Sequence, residues 1–126
     1  MDMHLHSIAW FDIPVTDFER ARKFYSHIFS FEMPTVPMGT LTMGIFLHDQ
    51  AKGIGGAIVL SDDRKPSADG SVVYLFAGED LKVVENRIPE AGGTVLLPKT
   101  EIAPGMGYFA LFFDTEGNKV GLHSMN

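Results

Sequence analysis

Cysteine is absent from this chain of 126 residues. Its absence excludes disulfides, thiolate catalysis and thiolate metal sites. The usual mark of a secreted scaffold goes with it, so a cytoplasmic location is the default expectation. No apolar stretch reaches the ~18 residues that a membrane span requires. The run from Met1 to His6 has no basic region followed by an apolar one, and does not read as a signal peptide. Positive charge is in deficit: 10 Lys and Arg stand against 16 Asp and Glu, a net charge of −6 at pH 7. An acidic surface repels phosphate backbones, so nucleic acid is not an expected partner. What remains is ordinary for a globular protein: 45 % apolar and 21 % charged residues, which argues against disorder. The length favours one domain spanning 1–126, able to bury roughly two thirds of its unfolded surface without a structural zinc.

Along the chain, apolar runs alternate with turn-rich segments. Ser7–Val15 reads as a strand, with Pro14 placing it at an edge or at its own end. Asp17 is a helix N-cap. Phe18, Ala21, Tyr25 and Ile28 then form one apolar stripe, predicting a helix over about 18–29. Phe31–Met33, Leu41–Leu47 and Ile54–Leu60 follow as strands. The polar segment 61–70 is the one internal linker. Beyond it the order returns: Ser71–Ala77 as a strand, Asp80 as a cap, and Leu81, Val84, Ile88 and Ala91 as a second stripe. Pro89 removes one backbone bond near the end of that helix, and Gly92-Gly93 terminates it. Thr94–Leu97, Tyr108–Phe113 and Lys119–Ser124 complete the strands, the last two joined by a tight turn over 114–118. The reading is α+β, with two β-α-β-β-β modules over about 6–60 and 71–124. The pattern alone also fits an unrelated α+β sandwich.

Particular residues favour the repeat. The run from Phe11 to Tyr25 with Ile28-Phe29, the stretch Gly92-Gly93-Thr94-Val95, and Gly107–Leu122 together resemble the vicinal-oxygen-chelate superfamily, which holds glyoxalases, bleomycin-resistance proteins and dioxygenases. The resemblance covers nearly the whole chain. It implies a curved mixed sheet or open barrel, helices outside, a central small-molecule cleft between the modules, and often a homodimer. Members of such a family differ in activity, so the fold alone does not name one.

The resemblance also implies where a metal would sit: between the modules, on His and Glu side chains from four strands. The first position, five residues before Val15, is Trp10. The second falls within Lys52–Leu60, which has no His, Asp or Glu. The third falls among Val72, Val73 and Tyr74, of which only the phenol of Tyr74 can coordinate. The fourth, four residues after Gly117, is Gly121. A divalent ion with one protein ligand is not retained, so no metal and no cofactor are expected.

Strand alternation offers substitutes. Asp12 shares a face with Trp10, and His123 with Gly121, making Asp12 and His123 a predicted polar pair able to act as an oriented base. Their ordinary roles, a backbone-bonded Asp and a terminal His in water, are the competing reading. Trp10, Tyr74, Met106, Phe109 and Gly121 are the predicted ligand-binding residues. The segment Glu101–Gly107 is a lid or an ordinary connector, and the methionines Met33, Met38, Met43 and Met106 are pocket or core fillers. His4 and His6 read as terminal residues, and His27 and His48 as surface ones. Gly53-Ile54-Gly55-Gly56 lacks the strand before it and helix after it that a dinucleotide fingerprint needs. The expected function is binding of a small, partly apolar molecule. The alternatives are a metal-dependent lyase, isomerase or dioxygenase with other ligands, and a dimerisation module with a vestigial cleft.

Overall fold

The computed structural model describes residues 6–49 and 51–126; His4 lies outside them. The order is β1 (Trp10–Val15), α1 (Phe18–Phe29), β2 (Thr35–Met38), β3 (Leu41–Ile45) and β4 (Gly55–Leu60). It is repeated as β5 (Tyr74–Phe76), α2 (Lys82–Glu85), a 3-10 turn (Pro89–Ala91), β6 (Thr94–Ala103), β7 (Gly107–Phe113) and β8 (Lys119–Ser124). Each half makes one four-stranded mixed sheet, ordered β1-β4-β3-β2 and β5-β8-β7-β6. In each, the first strand lies parallel to the last. The two sheets do not close into a barrel.

Helix α1 follows from its sequence. The Asp17 carboxylate accepts the Arg20 amide at 3.1 Å, satisfying one of the free N–H groups of the first turn. Ala21, Phe24, Tyr25 and Ile28 are its buried residues, so Phe24 widens the predicted stripe. Ser30 ends the helix in the left-handed region at φ 56°, with its amide turned back to the His27 carbonyl.

Several elements differ from the sequence reading: β5, expected over Ser71–Ala77, spans only Tyr74–Phe76, and Leu81 rather than Asp80 is the N-cap of α2. The strand expected at Phe31–Met33 lies instead at Thr35–Met38, across Pro37. An edge strand tolerates a proline because one side of it needs no ladder donor, and β2 is an edge strand. The second helix, expected to run to Ala91, breaks after Glu85. Pro89 has no N–H to give the Glu85 carbonyl, and the chain tightens into shorter-range bonds such as Ile88 N–H to Glu85 O at 3.2 Å. The stripe survives the break, with Leu81, Val84 and Ile88 all buried. Finally, β6 continues to Ala103 by pairing with β7, with register shifts along the way.

Both halves contribute to one core. Ile13, Val15, Phe24, Tyr25 and Ile28 pack in the same cluster as Leu81, Ile88, Phe112 and Leu122. The face of β1 and β8 turned toward the helices therefore carries Ile13, Val15, Val120 and Leu122, and alternation turns Trp10, Asp12, Gly121 and His123 the other way. A smaller cluster of Met43, Ala57 and Val59 covers the helix-free face of the first sheet.

The turn over 114–118 joins the halves. Asp114 is buried, accepts the Tyr25 hydroxyl at 2.8 Å, and takes the backbone amides of Glu116 and Asn118. Burial, then the Asp114 charge, raises the Tyr25 phenol well above its usual range. Asn118 donates to the Pro14 carbonyl at 2.7 Å. Glu116, whose side chain is 0 % exposed, reaches the start of α1. It accepts the Thr16 and Asp17 amides at 3.0 and 2.7 Å and the Arg20 guanidinium at 2.7 Å. Burial alone raises its carboxyl pKa. The bonds from Arg20, the Asp17 amide, Thr115 and the Thr16 amide outweigh that and hold it at about 2, below the ordinary 4.5.

A carboxylate depressed on folding contributes stability that is full above its unfolded pKa of 4.5 and is lost as pH falls toward about 2. Glu116→Gln is accordingly expected to cost about 2 kcal/mol near neutral pH, the scale of charge-assisted bonds to buried partners. Urea unfolding of both proteins should show that gap narrowing as the pH is lowered through that window. A gap independent of pH would contradict the assignment.

Candidate functional site

The structure sorts the predicted residues into two groups on the helix-free faces. The first surrounds Trp10, which is 41 % exposed. Its indole N–H donates to Asp12 Oδ1 at 3.0 Å, and the other Asp12 oxygen is held by the guanidinium of Arg64, from the linker. The second group surrounds Tyr74, 50 % exposed. Its ring centroid lies 6.2 Å from that of Phe109. Phe109 is opposite His123 in the ladder, and His123 Nε2 lies 3.0 Å from the Met106 carbonyl oxygen.

Asp12 and His123 are not hydrogen-bonded to each other. Each has its own partner: Asp12 is ion-paired with Arg64, and His123 is bonded to the Met106 carbonyl at the β6–β7 turn. The Glu101–Gly107 segment is also mostly ladder, with Glu101 opposite Tyr108 and Ala103 opposite Gly107. Only Pro104, Gly105 and Met106 lie outside strands, so a lid here is at most a three-residue tip. Met33 and Met43 are buried core residues, whereas Met38 and Met106 are exposed. His27 is a surface residue as read, bonded to Glu90 at 2.7 Å.

The register gives the four strand positions a common form. Trp10 stands opposite Gly55, and Tyr74 opposite Gly121. Each module thus pairs an aromatic residue of its first strand with a glycine of its last. A Cβ on Gly121 would lie 2.3 Å from the Tyr74 ring, and one on Gly55 would lie 2.2 Å from the His48 ring. Both glycines are therefore seats for rings. His48, read as a surface residue, is instead half-buried over Gly55, with its ring 6.0 Å from Trp10 and near-perpendicular to it. A His/Glu donor set does not fit these positions, because a side chain at either glycine would evict a ring. Among the described residues, no three His, Cys, Asp or Glu side chains group as metal ligands.

A sizeable cavity lies elsewhere. It has a volume of about 540 Å³ and is walled by Phe11, Phe29, Phe31, Phe46, Leu75 and Phe76. His48 and Asp49 stand at its polar side. None of Trp10, Tyr74, Met106, Phe109 or Gly121 lines it. It adjoins the first group through Gly55 and His48. Sequence patterning missed it because its phenylalanines come from β1, the end of α1 and just beyond it, the segment after β3, and β5. The one available signal was their abundance, 10 in the chain. A shallower crevice of about 50 Å³ separates Asp12 and Pro14 from Ser71, Val73 and Lys119.

Comparison with known proteins agrees with this architecture. The family model of the Glyoxalase/Bleomycin resistance protein/Dioxygenase superfamily matches residues 7–122, and the chain belongs to that family. A glyoxylase-like domain-containing protein of Didymella fabae is 32 % identical over 119 residues, 92 % of each chain. A glyoxalase/bleomycin resistance protein from a Streptomyces species superposes with a TM-score of 0.66 at 26 % identity, covering 94 % of this chain and all (100 %) of that one. A glyoxalase I mutant from Zea mays superposes with a TM-score of 0.69 at 20 % identity, over 92 % of this chain but only 45 % of the maize chain. The present chain thus spans under half of that enzyme, and the likeness is one of fold.

If Gly121 is a seat for Tyr74, Gly121→Ala must displace that ring, at a cost of about 1–3 kcal/mol for overpacking. The expected signature is a change in the Tyr74 and Phe109 ring resonances by NMR, together with a lower unfolding midpoint. Unaltered ring shifts would contradict the contact.

Proposed function

We propose that this protein binds a small, partly apolar molecule in the cleft between its modules, without the divalent metal used by metal-dependent members of its family. The observation that carries the reading is the aromatic–glycine pairing at all four strand positions, Trp10 with Gly55 and Tyr74 with Gly121. Such positions offer ring faces and one phenol. Beyond the Tyr74 phenol they offer no nitrogen or oxygen donor of the kind a divalent ion prefers, and a side chain added at either glycine would displace a ring. Exposed aromatic surface suits a planar or apolar ligand, which the indole and phenol edges can orient. Phe109 and Met106 complete the wall, and Gly121 keeps it flat. Asp12 and His123 supply its polar groups separately, one as part of an ion pair with Arg64. The role is that of a binding protein of the drug-sequestering or sensing kind. A cytoplasmic homodimer is part of the proposal, supported by the cysteine-free composition and by the apolar side chains left exposed on the helix-free faces. Among the described residues no helix is long and apolar enough to cross a membrane.

Two measurements test this. Trp10 is the only tryptophan, so its fluorescence reports directly on the cleft. Saturable quenching is expected from members of a library of aromatic and glycan-like compounds, weakened several-fold by Tyr74→Ala. No response from any compound would sink the binding role and favour a dimerisation module. Elemental analysis of protein purified without a histidine tag should find less than a tenth of an equivalent of metal. One equivalent of Zn, Ni, Mn or Fe would favour the metal-dependent lyase, isomerase or dioxygenase instead.

A further inference from the structure

The aromatic cavity adjoins the cleft at His48 and Gly55, but most of its wall comes from side chains that the cleft does not use. Phe11 and Leu75 belong to β1 and β5 but point to the side opposite Trp10 and Tyr74, toward the helices. Phe46 is the hub of the wall. Its ring centroid lies 5.6 Å from Phe11, 5.3 Å from Tyr25, 6.2 Å from Phe29 and 6.5 Å from Phe31. A volume of about 540 Å³ lies within the usual range for small-molecule sites, roughly 300–1,000 Å³.

One side chain makes this more than an apolar void. His48 lines the cavity, and its Nδ1 lies 3.1 Å from the Phe46 carbonyl oxygen. A carbonyl oxygen only accepts, so Nδ1 carries the hydrogen. In the neutral ring Nε2 is then a bare acceptor. Gly55 beneath the ring and the Trp10 edge beside it hold the imidazole in place. A preoriented acceptor on an aromatic wall selects a donor on a flat apolar body. Charge narrows the choice further. Asp49 stands at the same cavity, its carboxylate accepting the Ala51 and Lys52 amides at 2.9 and 3.2 Å. A negative group there disfavours an anionic ligand, as does the net charge of −6.

We propose that this cavity is a second binding site, separate from the cleft, for an uncharged one- or two-ring aromatic molecule whose O–H or N–H donates to His48 Nε2. Indole and N-methylindole are matched probes, since they share the ring system and differ in the donor. Titration of the full chain with each, followed by backbone amide NMR, should give saturable shifts at Phe29, Phe31, Phe46 and Ile54. Indole should bind about five-fold tighter, the value of one hydrogen bond. His48→Phe keeps a ring over Gly55 and removes the acceptor, so the two probes should then bind within two-fold of each other. Leu47 also lines the cavity and is 67 % exposed. Leu47→Trp should fill the site and abolish the shifts from both probes, and it serves as the test if His48→Phe does not fold. Three results with the wild type would overturn the proposal: equal affinity of the two probes, shifts centred on Tyr74, Phe109 and Gly121 instead, or no saturable shift at all. Shifts that persist in Leu47→Trp would do the same. Because the readout residues are not those of the cleft, failure here leaves the reading of the cleft standing, and the reverse also holds.

Discussion

The arrangement depends on one buried carboxylate. Glu116 sits in a turn of the second module and holds the first residues of the first module's helix. A buried charge is costly unless every lone pair is engaged. Here backbone amides, two hydroxyls and a guanidinium engage it, and the favourable end of the helix dipole lies beside it. Its neighbours Asp114 and Asn118 extend the joint to Tyr25 and Pro14. The same five-residue turn thus fixes the end of β1, the start of α1 and the entry to β8. Those elements in turn set the relation between the Trp10 and Tyr74 faces. Besides this joint the halves share apolar packing and two polar contacts between their helical segments, Arg87 to the Ile28 carbonyl and His27 with Glu90.

What the joint positions is a pair of matched surfaces. Each module sets an aromatic residue opposite a glycine, and each glycine carries a ring. The rings come from different places: Tyr74 belongs to the facing strand, whereas His48 comes from beyond β3. The chemistry available in the cleft is that of ring faces, one phenol, an ion-paired carboxylate and an imidazole bound to a backbone oxygen. Behind it, the His48 ring is shared between the cleft and the aromatic cavity, touching Trp10 on one side and lining the other space. A change at His48 therefore reaches both.

Much of the fold was legible in the sequence. Asp17 and the stripe over Ala21, Tyr25 and Ile28 give α1 its bounds, because local capping and helical periodicity need no distant partner. The edge placement of Pro14 follows from its missing donor in the same way. The displaced β2 and the broken second helix were less legible, since each is settled by competition. Pairing with β3 draws Thr35–Met38 into a strand despite Pro37. The missing amide of Pro89 outweighs a stripe that periodicity alone would continue. For the candidate site, Trp10, Tyr74 and Gly121 stand at strand positions that alternation can assign, but alternation says only which side a residue faces. It puts Asp12 and His123 on the same side, but it could not show that Arg64 and the Met106 carbonyl are their partners.

The sequence by itself determined the doubled β-α-β-β-β order, the first helix, and which side chains face away from the core, because periodicity, caps and turns act between residues near one another in the chain. Only the tertiary structure decided that His48 lies over Gly55, that Tyr74 lies over Gly121, and that phenylalanines from Phe11 to Phe76 enclose one cavity. Those contacts join residues whose separation in the chain carries no period, and packing alone brings them together.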